Sequence, residues 1–174
     1  MPCSSPAGDM KPNAPPVALR PVQPGDEPFL FLLYASTREA ELAVLAWDEA
    51  QKEAFLRMQF KAQQIYYQAR FADATFEIVL LEDRPVGRLY VHRCDNEIRI
   101  IDISLLPAHC RAGIGSCLLN GLLDEAAASA LPVRIHVERF NPALRWYERL
   151  GFRQIEDREV YLLLEWKPEK PRQL

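Results

Sequence analysis

Ile98-Arg99-Ile100-Ile101-Asp102-Ile103-Ser104-Leu105-Leu106-Pro107, continued by Ala108-His109-Cys110-Arg111-Ala112-Gly113-Ile114-Gly115-Ser116-Cys117-Leu118-Leu119, decides how this chain is read. The first ten residues are an apolar, β-branched run that suits a buried strand, and they stop at a proline that cannot extend a ladder. Two glycines one residue apart then open a helix, where they allow a tight turn and close approach of the backbone to a ligand. Such a helix start points unpaired N–H groups and the positive end of its dipole beyond the strand, and phosphate is the natural occupant. The dinucleotide fingerprint fails because Leu118 stands at its third glycine, and a P-loop fails because no Gly-Lys-Ser/Thr follows. Alone, the glycine pair reads equally well as a tight strand-to-helix turn.

A second segment, Asn141-Pro142-Ala143-Leu144-Arg145-Trp146-Tyr147-Glu148-Arg149-Leu150-Gly151-Phe152, carries its own punctuation. Asn141 suits an N-cap, Pro142 the first helical position and Gly151 the left-handed residue that ends a helix. Ala143, Trp146, Tyr147 and Leu150 share one face at helical spacing, as in an amphipathic core helix.

In order, spacing and context the two segments resemble the GNAT (general N-acetyltransferase) superfamily. Its first motif is Gln/Arg-x-x-Gly-x-Gly/Ala after the fourth strand, and its second is Asn-Pro-Ala, then Tyr, then Gly-Phe. The resemblance runs from Val17 to Trp166 in element order, its specific motifs lie within Leu105 to Phe152, and it is closest to small bacterial-type members. One departure is visible: the family's Gln or Arg corresponds to Cys110, with Arg111 displaced by one. Arg111 is either a flexible phosphate contact or a solvated arginine.

The resemblance implies an α/β fold of the α+β kind: a central, mostly antiparallel mixed sheet with splayed central strands and helices on both faces. It implies acetyl-CoA in the gap, with Ser104, Leu105 and Leu106 beside the pantetheine arm at a β-bulge. Cys110, Arg111, Ala112, Gly113, Ile114, Gly115 and Ser116 would surround the pyrophosphate, and Asn141, Ala143 and Tyr147 would complete the cofactor site. It implies transfer of the acetyl group by direct attack of a primary amine in a ternary complex, on a small molecule or a protein amino group. Tyr147 would be the general acid for the departing thiolate, and an N–H near Leu105 would receive the developing oxyanion. A non-catalytic acyl-CoA sensor or interaction module with the same fold is the alternative.

The base is open among Asp102, Glu97 and a chain of waters. Alternation puts Asp102 on the strand face of Ile98 and Ile100, as a partnered structural carboxylate or a site group. The family chooses acceptors around the first two helices and the last hairpin. Here these are Arg38 to Gln51, with Glu39, Glu41, Asp48 and Glu49, and Glu156 to Glu159, with Glu156, Asp157 and Glu159. They suit a cationic amine or form a solvated charged surface. Trp47, Phe55, Phe60, Tyr66 and Tyr67 line an acceptor pocket or belong to core and interface.

With 174 residues and 49% hydrophobic composition the chain fits one enzyme domain, over 17–167. The proline-rich lead 1–16 and the tail 168–174 read as disordered and flexible. A formal charge of −3 without a basic run argues against nucleic acid, and no stretch is apolar enough for a membrane. Cys3, Cys94, Cys110 and Cys117 have no metal-ligand spacing, so no metal is expected, and a reducing, cytoplasmic setting is. His92, His109 and His136 receive no role. Homodimers are usual among the proteins it resembles.

Strands are expected at Val17–Val22, Thr75–Glu82, Val86–Cys94, Glu97–Leu106, Val133–Val137, Phe152–Ile155 and Val160–Trp166. Helices are expected at Glu27–Ser36, capped by Asp26, and at Trp47–Phe71, Gly113–Ala130 and Pro142–Leu150.

Overall fold

The computed structural model describes residues 16–168. The expected lead and tail lie almost wholly outside these residues. Seven strands form one sheet: β1 (Val17–Pro21), β2 (Thr75–Leu81), β3 (Arg84–Arg93), β4 (Ile98–Leu105), β5 (Val133–Glu138), β6 (Arg153–Arg158) and β7 (Tyr161–Trp166). Their order is β1-β2-β3-β4-β5-β7-β6, antiparallel throughout except for β4 beside β5. Helices α1 (Glu27–Ala43) and α2 (Glu49–Arg70) cover one face, and α3 (Ile114–Ser129) and α4 (Leu144–Arg149) cover the other.

Two apolar clusters mark those faces. Val79, Leu89, Val91, Ile98 and Ile100 meet Ile114, Leu119, Leu122 and Tyr147 beneath α3 and α4. Ile78 and Tyr90 meet Leu30, Tyr34 and Phe60 beneath α1 and α2. The alternation of these strands, inward on each face in turn, produces the two-sided burial of a three-layer domain.

Several boundaries differ from the sequence reading for local reasons. Helix α1 continues past Ser36 because Ser36 and Thr37 return their hydroxyls to the Leu33 and Tyr34 carbonyls and Leu42 is buried further on. The connection to α2 is therefore residues 44–48, shorter than Arg38 to Gln51. Asp26 does not cap α1 with its side chain. Its carboxylate takes two bonds from Arg20, each 2.7 Å, and one from the Gln23 N–H, which closes the 3-10 turn Pro24–Asp26. Arg20 thereby holds the Asp26 carboxyl below the usual carboxylate range. Helix α2 has the stronger start, a capping box in which Asp48 and Gln51 exchange bonds of 2.8 and 3.0 Å.

The expected bulge is present, but it lies at Ile101 rather than at Ser104 to Leu106. Tyr90 pairs with Asp102 and Val91 with Ile100, leaving Ile101 as the extra residue of β4. Side-chain parity inverts there. Ile98 and Ile100 face α3, whereas Asp102 and Ser104 face α2 with Tyr90 and Arg88, so Asp102 does not share a face with Ile98 and Ile100.

Beyond the bulge β4 lies close on β3. A Cβ built on Gly87 would overlap the Ser104 carbonyl oxygen and stand 2.6 Å from a Leu105 methyl group. Gly87→Ala is therefore expected to lower unfolding free energy by about 1–3 kcal/mol through overpacking, measured by urea denaturation. A change below about 0.5 kcal/mol would show that β4 yields easily at this end.

Candidate functional site

A gap opens in the middle of the sheet. β5 pairs with β4 only through Ile98–Val133, Arg99–Arg134 and Ile100–Ile135, while β3 follows β4 to Leu105 and β7 follows β5 to Glu138. From Ile101 onward the β4 edge that faces β5 has no ladder partner among the described residues, and this half-buried backbone is free to bond an occupant.

The loop after β4 leads straight to this gap. Leu106 N–H still bonds the Val86 carbonyl at 2.8 Å, Pro107–His109 forms a 3-10 turn, and α3 starts at Ile114. Gly113, at φ +81°, precedes the helix, and its carbonyl accepts the first helical bond, from Cys117 N–H at 2.9 Å. Arg111 also lies at positive φ, +62°. The N–H groups of Arg111, Ala112, Gly113, Ile114, Gly115 and Ser116 have no backbone acceptor among the described residues. Arg111, Ala112 and Gly113 are exposed, and a Cβ on Gly113 would meet nothing within 4 Å. The place is an exposed stretch of unpaired backbone donors at the start of a 16-residue helix, with the chemistry of an anion cradle.

Cys110 is exposed and turns its thiol back toward the Leu106 and Leu105 carbonyls, at 3.5 and 3.7 Å. The side of the cradle where the family places a long polar side chain is thus left to Arg111 and backbone. Cys94, Cys110 and Cys117 are free thiols, and no cluster of three metal-ligating side chains occurs among the described residues.

Helix α4 is locked onto the cradle. Trp146 Nε1 donates to Ser116 Oγ at 3.1 Å, and the indole lies 3.4 Å from where a Cβ on Gly115 would stand. A Cβ at position 115 would thus stand in ordinary contact with Trp146, whereas Gly113 is set by its turn geometry. Asn141 Oδ1 accepts from Ala143 N–H at 2.8 Å, which caps a turn, and the helix proper begins at Leu144 rather than at Pro142. Gly151, at φ +94°, ends it. Tyr147 is 3% exposed and packed between Trp146 and Phe152. Burial, then the nearby charge of Asp102, push its phenol well above the usual tyrosine range, so it keeps its proton.

On the α2 side of the gap lies a polar cluster that the sequence reading assembled only in part. Arg88, 2% exposed, donates from Nη2 to Asp102 Oδ2 at 2.7 Å and to Gln63 Oε1 at 2.9 Å. Tyr67 Oη donates to the same Asp102 oxygen at 3.1 Å, and Ser104 Oγ to Oδ1 at 2.6 Å. Arg88 Nε and Nη1 are buried without a partner among the described residues. One signal was available: a lone arginine inside Val86-Gly87-Arg88-Leu89-Tyr90-Val91, facing an aspartate on the next strand.

Glu97 belongs elsewhere. At the start of β4, remote from the gap, it is bound by Arg99 and Arg134, both at 2.7 Å. The acidic residues of the expected acceptor elements are mostly neutralised internally. Glu41 pairs with Arg38, Asp48 caps α2, Glu49 pairs with Lys52, Glu156 with Arg158 and Asp157 with Arg139. Arg38 also reaches Glu138 at 3.2 Å and walls a hollow of about 220 Å³ with Tyr34, Phe55 and Tyr161, beside the end of β5. Of the aromatic set, Phe60 is core, Trp47 stacks on Phe55, Tyr66 is exposed and Tyr67 reaches Asp102.

Residues 72–154, which run from before β2 into β6 and include the gap, the cradle and α4, match the family model described as Acetyltransferase (GNAT) domain. That segment is similar to the GNAT acetyltransferase domain. The chain's fold is the GNAT-like mixed sheet that the resemblance implied. Among solved structures it is similar to a PaiA N-acetyltransferase from Thermoplasma acidophilum in complex with coenzyme A, with a TM-score of 0.65 and 17% identity over 87% of this chain and 98% of that one. It is also similar to the ribosomal-protein-S18-alanine N-acetyltransferase of Escherichia coli, with a TM-score of 0.57 and 16% identity over 91% and 98%. Naa50 of Arabidopsis thaliana, in complex with the bisubstrate analogue CoA-Ac-MVNAL, has a TM-score of 0.54 and 18% identity over 87% and 98%. An archaeon, a bacterium and a plant single out no bacterial-type subgroup. No curated protein matches the chain. No helix among the described residues is long and apolar enough to cross a membrane.

The Arg88–Asp102 pair yields a stability prediction. Asp102→Asn leaves a buried guanidinium without its counter-charge and should cost about 3–5 kcal/mol in urea unfolding. Tyr67→Phe removes one neutral donor from a carboxylate that keeps two others and should cost about 1 kcal/mol. Equal losses would mean that the ion pair does not organise the cluster.

Proposed function

We propose that the protein is an acetyl-CoA-dependent N-acetyltransferase that moves an acetyl group to a primary amine by direct attack in a ternary complex. The observation that carries this reading is the run of N–H groups from Arg111 to Ser116 without a backbone acceptor among the described residues, beside a buried Tyr147 on the helix that Trp146 ties to Ser116. The first feature suits a pyrophosphate and the second a departing thiolate. Similarity to an N-acetyltransferase structure that holds coenzyme A adds support.

The chain's residues fit the cofactor without rearrangement. Cys110, Arg111, Ala112, Gly113, Ile114, Gly115 and Ser116 hold the pyrophosphate, mainly through backbone. The free β4 edge at Ser104, Leu105 and Leu106 receives the pantetheine arm, and Asn141 and Ala143 shape the turn that delivers Tyr147. Acetyl-CoA supplies an activated thioester, so positioning carries much of the catalysis. A Leu105 N–H meets negative charge as it gathers on the carbonyl oxygen. Tyr147 would give its proton to the leaving sulfur, and the proton shed by the acylated nitrogen would pass to water, from which the phenol is restored. An acyl-CoA sensor would need no proton donor in the gap, and the placement of Tyr147 favours turnover.

The acceptor is the amino group of a small molecule or of a protein. Internal pairing of Glu41, Glu49, Glu156 and Asp157 removes most of the negative field that would favour a polycation. We place residues 17–167 in one catalytic domain and the protein in the cytoplasm.

Calorimetric titration with acetyl-CoA, beside desulfo-CoA and ATP, tests the reading, and absence of selective acetyl-CoA binding overturns it. Gly113→Asp should weaken acetyl-CoA binding at least tenfold, because it adds a side chain at φ +81° and a negative charge to the cradle. Intact affinity would remove the phosphate assignment.

Tyr147→Phe should lower kcat about a hundredfold or more while leaving the acetyl-CoA dissociation constant unchanged. An acid works only while protonated, and a phenol raised above its usual value near 10 stays protonated as pH rises. The wild-type kcat should therefore show no loss from this group below about pH 10. Full turnover by Tyr147→Phe would assign the proton donor elsewhere.

A further inference from the structure

We propose that the hydroxyls of Tyr67 and Ser104 form the subsite that receives the N–H bonds of the acceptor's primary amine, with Asp102 and Arg88 as the positioning pair behind them. The inference rests on the acyltransferase reading for the identity of the ligand as acceptor, but its geometry is independent of that reading.

It begins with the direction of two hydrogen bonds. An aspartate paired with a guanidinium is an anion, and an anionic carboxylate can only accept. Tyr67 and Ser104, at 3.1 and 2.6 Å from its two oxygens, must both spend their single proton on Asp102. Each hydroxyl then has only lone pairs left to offer. Two oxygens on neighbouring elements, α2 and β4, thus become obligate acceptors, and the ligand that satisfies them is a donor. A primary amine carries several N–H bonds and meets that demand, whereas a thioester carbonyl or a phosphate does not.

Their place fits the same chemistry. Asp102 and Ser104 reach the α2 face only because the bulge at Ile101 inverts the strand, and the bulge is where β5 leaves β4. The pair therefore stands beside the open edge, on the sheet face opposite the cradle. The charge of Asp102 is felt at the Tyr147 phenol, so the two groups lie within electrostatic reach of each other. An amine held by Tyr67 and Ser104 approaches from the α1/α2 side while the pyrophosphate is held at α3, so the two substrates do not compete for room.

Arg88 explains why the arrangement is rigid. A guanidinium 2% exposed, with two nitrogens unpartnered among the described residues, is costly to bury, and its ion pair keeps Asp102 ionised and immobile. Tyr67 is fixed further by edge contact with Tyr90, ring centroids 6.0 Å apart.

The test uses n-butylamine as acceptor at saturating acetyl-CoA, with thiol release as readout. Tyr67→Phe keeps the ring and should raise KM for n-butylamine about tenfold, with kcat and acetyl-CoA affinity little changed and the melting temperature lowered by no more than about 2–4 °C, the loss of one bond to Asp102. Ser104→Ala should do the same, since the role of Ser104 toward the pantetheine is through its backbone. A structural role alone would move the melting temperature and kcat without singling out the amine KM. Unchanged amine KM in both variants overturns the proposal, as does a wild type that binds acetyl-CoA yet transfers nothing to n-butylamine. A wild type that fails to bind acetyl-CoA fails the acyltransferase reading instead. The subsite is then judged by calorimetric binding of n-butylamine alone, where affinity lost in Tyr67→Phe supports it and no affinity in the wild type overturns it.

Discussion

Everything that distinguishes this sheet from a plain meander depends on one extra residue. Ile101 has no partner on β3, and its insertion turns the next side chains of β4 to the opposite face. Before it, Ile98 and Ile100 build the core under α3; after it, Asp102 and Ser104 face α2 while Ile103 and Leu105 rejoin the core. The same kink coincides with the loss of β5, because a parallel neighbour cannot follow a strand whose twist has changed. A gap, a free backbone edge and a polar cluster thus share one origin.

Two contacts keep the gap from closing or widening. On one side Gly87 lets β3 lie against Ser104 and Leu105, so the last residues of β4 stay on the sheet after β5 has gone. On the other, Trp146 reaches from α4 to Ser116 and rests on Gly115, tying the helix that carries Tyr147 to the loop that would hold phosphate. The three glycines act differently: Gly87 is demanded by a neighbour, Gly113 by backbone conformation, and Gly115 lies in ordinary contact distance of Trp146. Sequence inspection singled out Gly113 and Gly115 as one motif and could not separate their causes.

The elements that were legible were those whose signal is local. The β4 run, the glycine turn and the Asn141-to-Gly151 punctuation fall on observed elements within a few residues, because capping, turn geometry and amphipathic spacing are properties of short segments. What was not legible depends on pairing between distant segments. Strict alternation put Asp102 with Ile98 and Ile100, and nothing in β4 alone announces a bulge. Asp26 had the sequence of a helix cap, but an arginine six residues earlier takes its carboxylate. The acidic residues around the acceptor elements looked like an attractive field until their basic partners, 2 to 18 positions away in the chain, were placed beside them. Glu97 lost its candidacy in the same way, to Arg99 and Arg134.

Burying a guanidinium under α2 is hard to understand as a stabilising device. A buried ion pair is often no better than apolar residues of the same volume, and Arg88 leaves two nitrogens unpartnered besides. Tyr90 and Ile78, on the same face of the sheet, show what an ordinary core would place there. What the pair does supply is direction. A neutral residue at position 102 could donate as well as accept, and the protons of Tyr67 and Ser104 would then be free to rotate. With Asp102 held as an anion, both hydroxyls are oriented before any ligand arrives, and the reorganisation that a soft polar surface would need on binding is already complete in the folded protein. The free energy lost in burying Arg88 is returned as preorganisation at the one place in the sheet where the backbone has been left open.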